Sequence, residues 1–298
     1  LRPEGGGGDA ESRNLTLTFS MAKTTNDGYG IGWTLNVTSF DIANLVLSLS
    51  TGERYKANPL PAVGQLLTFQ DRKLKNVEVR RTATATLEVM YGDGVTETLT
   101  RPTGTGPYRT TRITWETGES QRLDYSTGGW LTRVTGEQTG TVFLEASYVS
   151  GTISRVTTIA TGGRRSAVTF TASNGLLTEI SMPFDAAAAP EQVRRYRYQT
   201  FTNGMRGISR VETPMGGLEL VTYLERGLPY YNNTYLPAVT VWERQPAGGR
   251  QEAGLPATVT RYRYSTTTNF TGYPFAGGFV AGTDNLYRVP GVYSYWCE

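Results

Sequence analysis

Apolar and polar residues alternate with a period of two along most of the chain. In residues 15–19, 45–50 and 87–91, every second side chain is Leu, Val, Phe or Tyr. Successive side chains of a β-strand point to opposite faces, so this period predicts strands with one buried face. Gly, Pro and β-branched residues recur too often for an apolar stripe at helical spacing. We therefore predict an all-β fold, with a short helix or a loop as alternatives at Asp185 to Gln192.

One tight turn stands out in this pattern. Gly92-Asp93-Gly94 separates two alternating segments, 87–91 and 95–100. An Asp-Gly pair accepts the positive backbone angles of a two-residue hairpin turn. The sequence therefore predicts a β-hairpin here, with a two-residue turn at its tip.

From about Gly118 onward the alternation becomes a repeat. Four aligned segments read GESQRLDYSTGGWLTRV, GTVFLEASYVSGTISRV, GRRSAVTFTASNGLLTEI and QVRRYRYQTFTNGMRGISRV. Each contains a strand that ends in an aromatic residue, a polar turn with glycine, and a second strand that ends in Val or Ile. The aromatic residues are Tyr125, Tyr148, Phe170 and Tyr198, the second-strand residues are Val134, Val156, Ile180 and Val211, and two less regular units end in Tyr223 and Tyr264.

The first four aromatic residues are 23, 22 and 28 positions apart, which is typical of a repeat architecture. A single hairpin is too small to be stable, so the hairpins are expected to stack edge to edge and bury their aromatic rings. We predict antiparallel hairpin repeats that form a continuous curled sheet. The predicted divisions are a flexible lead-in at 1–14, a non-repeating β region at 15–117 and the repeat region at 118–298.

Composition excludes several kinds of chemistry. The chain has no histidine, the residue most used as a general base and as a zinc ligand. Its single cysteine, Cys297, has no partner for a disulfide. The net charge of +3 is spread along the chain, and no apolar run approaches the ~20 residues that cross a bilayer. We expect no nucleic-acid partner, no membrane span and no metal or other cofactor.

Several carboxylates are candidates for catalytic groups. Glu116, Glu119 and Asp124 lie on or beside one predicted hairpin, and a glycosidase needs two facing carboxyl groups. Acidic residues at such positions usually solvate the ends of strands. Asp27 and Asp93 each precede a glycine, and we interpret both as turn formers and not as an aspartic-protease pair or calcium ligands. The sequence therefore predicts that this chain is not an enzyme.

Three glycines near the start alternate with apolar residues, at Gly28, Gly30 and Gly32 around Tyr29 and Ile31. A dinucleotide-binding loop would need a helix directly after it, and the pattern predicts none. We interpret the glycines as the beginning of a strand with close backbone approach.

Aromatic residues in two long insertions form a second set of candidates. Such rings can stack on sugars, line the interior of a shell and hold an enclosed polypeptide, or fill the sheet as core residues. The candidates for contact with cargo or glycan are Tyr230, Tyr231, Tyr235, Trp242, Tyr273 and Phe275.

The chain resembles the shell region of bacterial Rhs proteins. The hairpin unit is similar to their YD repeat, although only Asp124-Tyr125 keeps the two letters, in reversed order. Residues Leu15 to Ala57, with the stretch GYGIGW at 28–33, resemble the opening shell region that is often labelled sugar-binding. DNLYRV at 284–289 is similar to a segment that follows this region.

This resemblance implies part of a hollow β-cocoon that encloses a C-terminal toxin domain. It also implies a protein made in the bacterial cytoplasm and secreted by a specialised secretion system in competition between bacteria. The expected partners are the remainder of the shell, the enclosed toxin domain and a secretion-system spike protein. Some members cleave themselves, but no matching motif occurs before Glu298. The alternative function is a carbohydrate-binding β-module that uses the aromatic loops.

Overall fold

The computed structural model describes residues 15–70, 76–102, 104–160, 163, 165–182, 192–229, 235–246 and 256–263. The regular elements within these ranges are all β-strands, and all the strand pairs with a resolved register are antiparallel. The predicted all-β fold of antiparallel hairpins in a curled sheet is confirmed.

The strands fall into two groups along the chain. Those of the first 160 residues are β1 (Thr16–Phe19), β2 (Trp33–Asn36), β3 (Ser39–Asp41), β4 (Val46–Ser48), β5 (Arg54–Lys56), β6 (Val77–Ala83), β7 (Thr86–Tyr91), β8 (Thr96–Thr100), β9 (Tyr108–Thr114), β10 (Ser120–Tyr125), β11 (Leu131–Gly136), β12 (Val142–Val149) and β13 (Thr152–Ile159). Those that follow are β14 (Arg165–Ser173), β15 (Leu176–Met182), β16 (Gln192–Thr200), β17 (Arg206–Glu212), β18 (Leu218–Pro229), β19 (Tyr235–Gln245) and β20 (Thr258–Arg261).

The described residues form two compact units. The first contains 15–20 and 25–177, and the second contains 21–24 and the residues from 178 onward. The predicted divisions after residues 14 and 117 remain predictions. Of the segment predicted as a short helix or loop, 185–191 lies outside the described residues, and Gln192 begins β16.

In the first unit, β9 is the strand at which two groups of strands meet. One edge of β9 pairs with β8 along most of its length. Its other edge pairs with β3 at Arg109 and Tyr108, and with β10 from Arg112 to Thr114. β3–β4–β5 and β6–β7–β8–β9 are hairpin series, and residues 66 and 69 form single bridges to Arg80 and Ala57. β10 to β14 continue from β9 in chain order.

Two apolar cores stabilise the first unit. The first core lies among β3 to β9, and its fully buried members include Phe40, Leu47, Leu87 and Leu99. The second core lies between β8 and β11 and contains Val95, Ile113, Trp115, Leu123, Leu131 and Val134, with Leu15, Leu35 and Leu144 packed on it. β1 and β2 form a two-stranded sheet of their own.

Short loops that end in glycine join many neighbouring strands. At the tip of β7–β8, the Tyr91 N–H donates to Val95 O at 2.9 Å and the Gly94 N–H donates to Tyr91 O at 3.1 Å. The same two bonds recur at the loops that end in Gly52, Gly118, Gly129, Gly204 and Gly216, whose φ angles lie between +78° and +101°. A three-residue loop of this kind needs a left-handed residue at its third position, which glycine adopts without strain.

The two-residue turn predicted at Asp93-Gly94 is therefore wrong, although the hairpin is present. Gly94 has a positive φ of 82°, whereas Asp93 does not, so the loop contains three residues. Asp93 instead accepts a hydrogen bond from the Val95 N–H through Oδ1, at 3.0 Å. A true two-residue turn joins β12 to β13, where Ser150 and Gly151 have φ angles of 48° and 75°.

The second unit is a series of adjacent antiparallel strands. β15, β16, β17, β18, β19 and β20 pair in chain order. The longest of these ladders joins β18 to β19, from Leu218 opposite Gln245 to Pro229 opposite Tyr235. Opposite charges face each other on neighbouring strands, with Arg195 between Glu179 and Glu212.

We predict that Gly216→Ala destabilises the second unit by about 1–2 kcal/mol, because alanine in the left-handed region is strained even where there is space for its Cβ. Nothing lies within 4 Å of a Cβ built at Gly216, so backbone strain alone should set the cost. Urea unfolding followed by circular dichroism measures it. Met215→Ala in the same loop is the control, since Met215 is 89% exposed; equal midpoints for the two variants would contradict the prediction.

Candidate functional site

Four of the repeat aromatic residues, Tyr125, Tyr148, Tyr198 and Tyr223, lie at β-bulges. Asp124 of β10 is opposite Arg133 of β11, but the next residue, Tyr125, is opposite Leu131. Thr132 is therefore an extra residue on β11, and the ladder is interrupted beside the tyrosine. The Thr132 hydroxyl donates to Asp124 O at 3.0 Å, so a side chain pairs with a carbonyl of the interrupted ladder.

The same arrangement recurs at three further aromatic residues. Register shifts occur beside Tyr148, Tyr198 and Tyr223, and the extra residues opposite them are Ser154, Ser209 and Thr240. Each of these hydroxyls donates to the carbonyl of the residue before the tyrosine, at 3.1, 3.2 and 3.2 Å. A fifth bulge on β9 has Thr111 as the extra residue, whose hydroxyl donates to Thr98 O at 3.3 Å.

Tyrosine hydroxyls connect one bulge to the next. Tyr125 donates to Thr110 O at 2.7 Å, Tyr148 donates to Leu131 O at 2.8 Å, and Tyr223 donates to Ile208 O at 2.8 Å. Each accepting carbonyl belongs to the residue directly before the extra residue of the preceding bulge. The tyrosine of one repeat therefore binds the backbone at the bulge of the preceding repeat. We call this series of bulges the bulge row. Its extra residues are Thr111, Thr132 and Ser154 in the first unit, and Ser209 and Thr240 in the second.

Sequence reasoning found the tyrosines and missed their hydroxyl partners. The signal was present, because the second strands of three repeats read LTRV at 131–134 and ISRV at 153–156 and 208–211. The Ser or Thr in each is the extra residue of the bulge. Of the Val residues that end these strands, Val134 is fully buried, whereas Val156 and Val211 are half-buried.

A loop rich in glycine lies on the bulge row of the first unit. We call residues 25–32 the glycine loop; it precedes β2 and belongs to the first unit. Within it Tyr29 is buried, and its hydroxyl accepts a hydrogen bond from the Leu131 N–H at 3.3 Å. Gly28 O accepts one from the Ile153 N–H at 2.7 Å, and the Ile31 N–H donates to Gly175 O at 2.7 Å.

Close backbone approach, expected at the three glycines, is confirmed. A Cβ on Gly28 would lie 2.5 Å from Cδ1 of Trp130, and one on Gly30 would lie 3.2 Å from the backbone of Leu177. All three glycines have positive φ, so they form a loop, and β2 begins only at Trp33. The glycines therefore lie directly before β2 and are not part of it, which corrects their interpretation as the beginning of a strand.

Burial of the phenols changes their acidity. Desolvation raises the pKa of Tyr29, Tyr125 and Tyr148 above the ordinary value for tyrosine, while the positive charge of Arg109 lowers it in part. Burial also raises the pKa of Tyr223. The neutral, donating form of these hydroxyls is therefore favoured in the folded protein.

A buried polar network lies beside the bulge of β9. Glu97 is 2% exposed, and its Oε2 lies 2.8 Å from the Thr110 hydroxyl. That hydroxyl is also 3.0 Å from Thr38 O, and the Thr38 and Tyr91 hydroxyls are 3.0 Å apart. Sequence analysis missed Glu97, although its alternation with Val95 and Leu99 placed it on the apolar face of β8.

The remaining candidate aromatic residues are distributed differently. Phe170 and Tyr198 are half-buried in their strands. The guanidinium carbon of Arg226 lies 4.2 Å from the ring centroid of Tyr235, and that of Arg244 lies 4.6 Å from the ring centroid of Trp242. The indole N–H of Trp242 donates to Glu219. The other candidates lie outside the described residues: Tyr230, Tyr231, Tyr264, Tyr273 and Phe275.

The carboxylates considered for catalysis have local partners or exposed positions. Asp124 forms an ion pair with Arg122 at 2.9 Å, Glu116 is exposed in the β9–β10 loop, and Glu119 is half-buried directly before β10. Over the part of the chain that the structure describes, no three His, Cys, Asp or Glu residues come together as a metal site. Within those same residues, no helix has the length and apolarity to span a membrane.

The fold and the bulge row define a class: an all-β protein of antiparallel hairpin repeats joined bulge to bulge.

No protein-family model and no curated protein matches the sequence. Among solved structures, a porin-like protein from Bacteroides uniformis ATCC 8492 is 12% identical with a TM-score of 0.34, over 72% of this chain and 89% of that one.

Two further structures show similarity of the same low order. TcdB2-TccC3-TEV is 10% identical with a TM-score of 0.32, over 85% of this chain and 15% of that one. The N-terminal domain of the effector protein SpvB from Salmonella typhimurium strain LT2 is 12% identical with a TM-score of 0.29, over 87% of this chain and 96% of that domain. These values do not assign the chain to a family.

We predict that Thr132→Val destabilises the first unit by about 1–2 kcal/mol, because Asp124 O loses the hydroxyl that pairs with it at the bulge. Thr132→Ser keeps the donor and should cost less. Thr169→Val, at an exposed position of β14, is the control for shape and polarity. Urea unfolding monitored by tryptophan fluorescence gives the differences; equal losses for the Val and Ser variants would contradict a role for the hydroxyl.

We also predict that stability falls at alkaline pH. Phenols of the unfolded chain ionise near pH ~10, whereas burial keeps Tyr125 and Tyr148 protonated to higher pH in the folded protein. Above that pH the unfolded state binds fewer protons than the folded state, so the free energy of unfolding decreases as pH rises. Urea titrations from about pH 8 to about pH 11 measure the slope. The double variant Tyr125→Phe/Tyr148→Phe should flatten it, and an unchanged slope would count against the prediction.

Proposed function

We propose that this chain is a wall segment of an Rhs-type toxin shell and does no chemistry itself. In this proposal it encloses a C-terminal toxin domain, together with the remainder of the shell. The protein is made in the bacterial cytoplasm and secreted by a specialised secretion system, with a spike protein as a further partner. Function is then steric, because the wall separates the toxin from its surroundings.

The observation that carries the proposal is the bulge row. Tyr125, Tyr148 and Tyr223, and the Ser or Thr hydroxyls at the bulges, bind backbone groups of neighbouring strands, in the first unit and again in the second. Bulges bend a sheet and increase its twist, and side chains that bind at each bulge make the bend reproducible from hairpin to hairpin. An extended curved wall needs this property.

The distribution of burial also supports the proposal. Both apolar cores lie among β1 to β12. Beyond them, Ile153 of β13 is buried, whereas Val156, Val168 and Phe170 of β13 and β14 are only half-buried. A sheet face of this kind can contact further polypeptide, either more of the shell or an enclosed chain.

The carbohydrate-binding alternative has less support. Arginines already lie over the rings of Tyr235 and Trp242, the two candidate residues that the structure describes. Sugar stacking would need a ring face that is open to solvent. Binding of the chain to immobilised glycans, lost in Trp242→Ala, would favour this alternative.

Protease protection tests the shell proposal. We predict that, in the parent polypeptide that joins this chain to its toxin domain, thermolysin cleaves the toxin domain at least ~10-fold more slowly than it cleaves the isolated domain, because enclosure restricts access to sites of local opening. Quantitative mass spectrometry of the cleaved peptides measures both rates.

A casein substrate added to both reactions controls for protease activity. Equal cleavage rates for the enclosed and isolated toxin domain would overturn the proposal. Electron cryo-microscopy of the same polypeptide gives an independent result, because a toxin domain outside the β-sheet wall would be incompatible with enclosure.

A further inference from the structure

The glycine loop contacts the ends of three successive hairpins. Through Tyr29 it binds Leu131 at the start of β11, and through Gly28 it binds Ile153 near the start of β13. Through Ile31 it binds Gly175, in the turn before β15. These contacts all fall at the turn ends of the strands, so the loop runs across the hairpins.

Asn26 holds the loop in the shape that makes these contacts. Its Oδ1 accepts hydrogen bonds from the N–H groups of Gly28 and Gly30, at 3.0 and 2.9 Å. Its Nδ2 donates to the Thr152 hydroxyl at 2.8 Å, next to Ile153. One side chain therefore organises the loop and attaches it to β13.

The hydrogen bonds from the Leu131 and Ile153 N–H groups to the glycine loop are not part of the strand pairing. Leu131 is paired with Tyr125 and Ile153 with Tyr148, in registers that do not involve the loop. On either side of the loop, β1 and β2 pair only with each other among the described strands. Separation of the loop from the hairpins would expose the Leu131 and Ile153 amides and leave the β10 to β13 ladders intact.

We infer that the glycine loop is a latch. Docked, it fixes the spacing of three hairpin ends, and its undocking is a local opening that loosens the first unit without unfolding it. The contacts above define the docked state. The biological meaning of the latch rests on the proposed function, since in a shell the latch would control where the wall opens.

Hydrogen–deuterium exchange of the full 298-residue chain tests the inference. In Asn26→Ala, the peptides that contain Leu131 and Ile153 should exchange about tenfold faster, because undocking becomes more frequent. Peptides that contain Val79 and Leu99, in the core of β3 to β9, should keep the wild-type rate. Gly28→Ala should give the same pattern, since its Cβ collides with the Trp130 ring.

Gly118→Ala is the matched control. Gly118 has a similar positive φ of 84°, but a Cβ there meets nothing within 4 Å, so it introduces backbone strain without displacing the glycine loop. Wild-type exchange at Leu131 and Ile153 in both latch variants would overturn the inference. So would equal acceleration at Val79 and Leu99, because the loop would then be inseparable from the core. Loss of toxin protection in the unmutated parent would instead overturn the proposed function alone.

Discussion

The structure depends on the pairing of backbone groups at its β-bulges. An extra residue takes a peptide group out of the ladder, and a buried peptide group without a partner costs about 1–3 kcal/mol. In this protein hydroxyls supply the partners. A Ser or Thr on the bulge binds one neighbouring carbonyl, and the tyrosine of the following repeat binds another. At Leu131 both backbone groups are bound by tyrosines, the N–H by Tyr29 and the carbonyl by Tyr148.

This arrangement couples curvature to side-chain chemistry. Where Tyr125, Tyr148 and Tyr223 bind the bulge of the preceding hairpin, neighbouring repeats stabilise each other, as expected for a repeat protein. The first unit adds two apolar cores and the glycine loop, whereas the second unit repeats the tyrosine and hydroxyl contacts at Tyr223 and Ser209. The same hydroxyl-to-carbonyl contacts therefore occur both beside the apolar cores of the first unit and in the second unit.

Glycine shows why some features could not be predicted from local sequence. Gly118 and Gly28 both have positive φ, yet a Cβ at Gly118 would meet nothing within 4 Å, whereas Gly28 lies against the indole of Trp130. The residue type fixes the permitted backbone angles, but the neighbour that requires the missing Cβ is 102 positions away in the case of Trp130 (130 minus 28). Sequence alone therefore predicted close approach at Gly28 without identifying its partner.

Local periodicity determined the all-β fold, the hairpins and the aromatic positions of the repeat, because a strand's alternation and a loop's glycine depend on a few neighbouring residues. Tertiary structure decided three other features. It placed Thr132 and Ser154 as the extra residues of bulges, since register depends on two strands at once. It buried Glu97 beside Thr110, and it docked Tyr29 on Leu131. Thr132 and Ser154 bind carbonyls on the other strand of their own hairpins, Glu97 and Thr110 are 13 positions apart, and Tyr29 and Leu131 are 102 positions apart. The energies of these contacts depend on burial that no local pattern specifies.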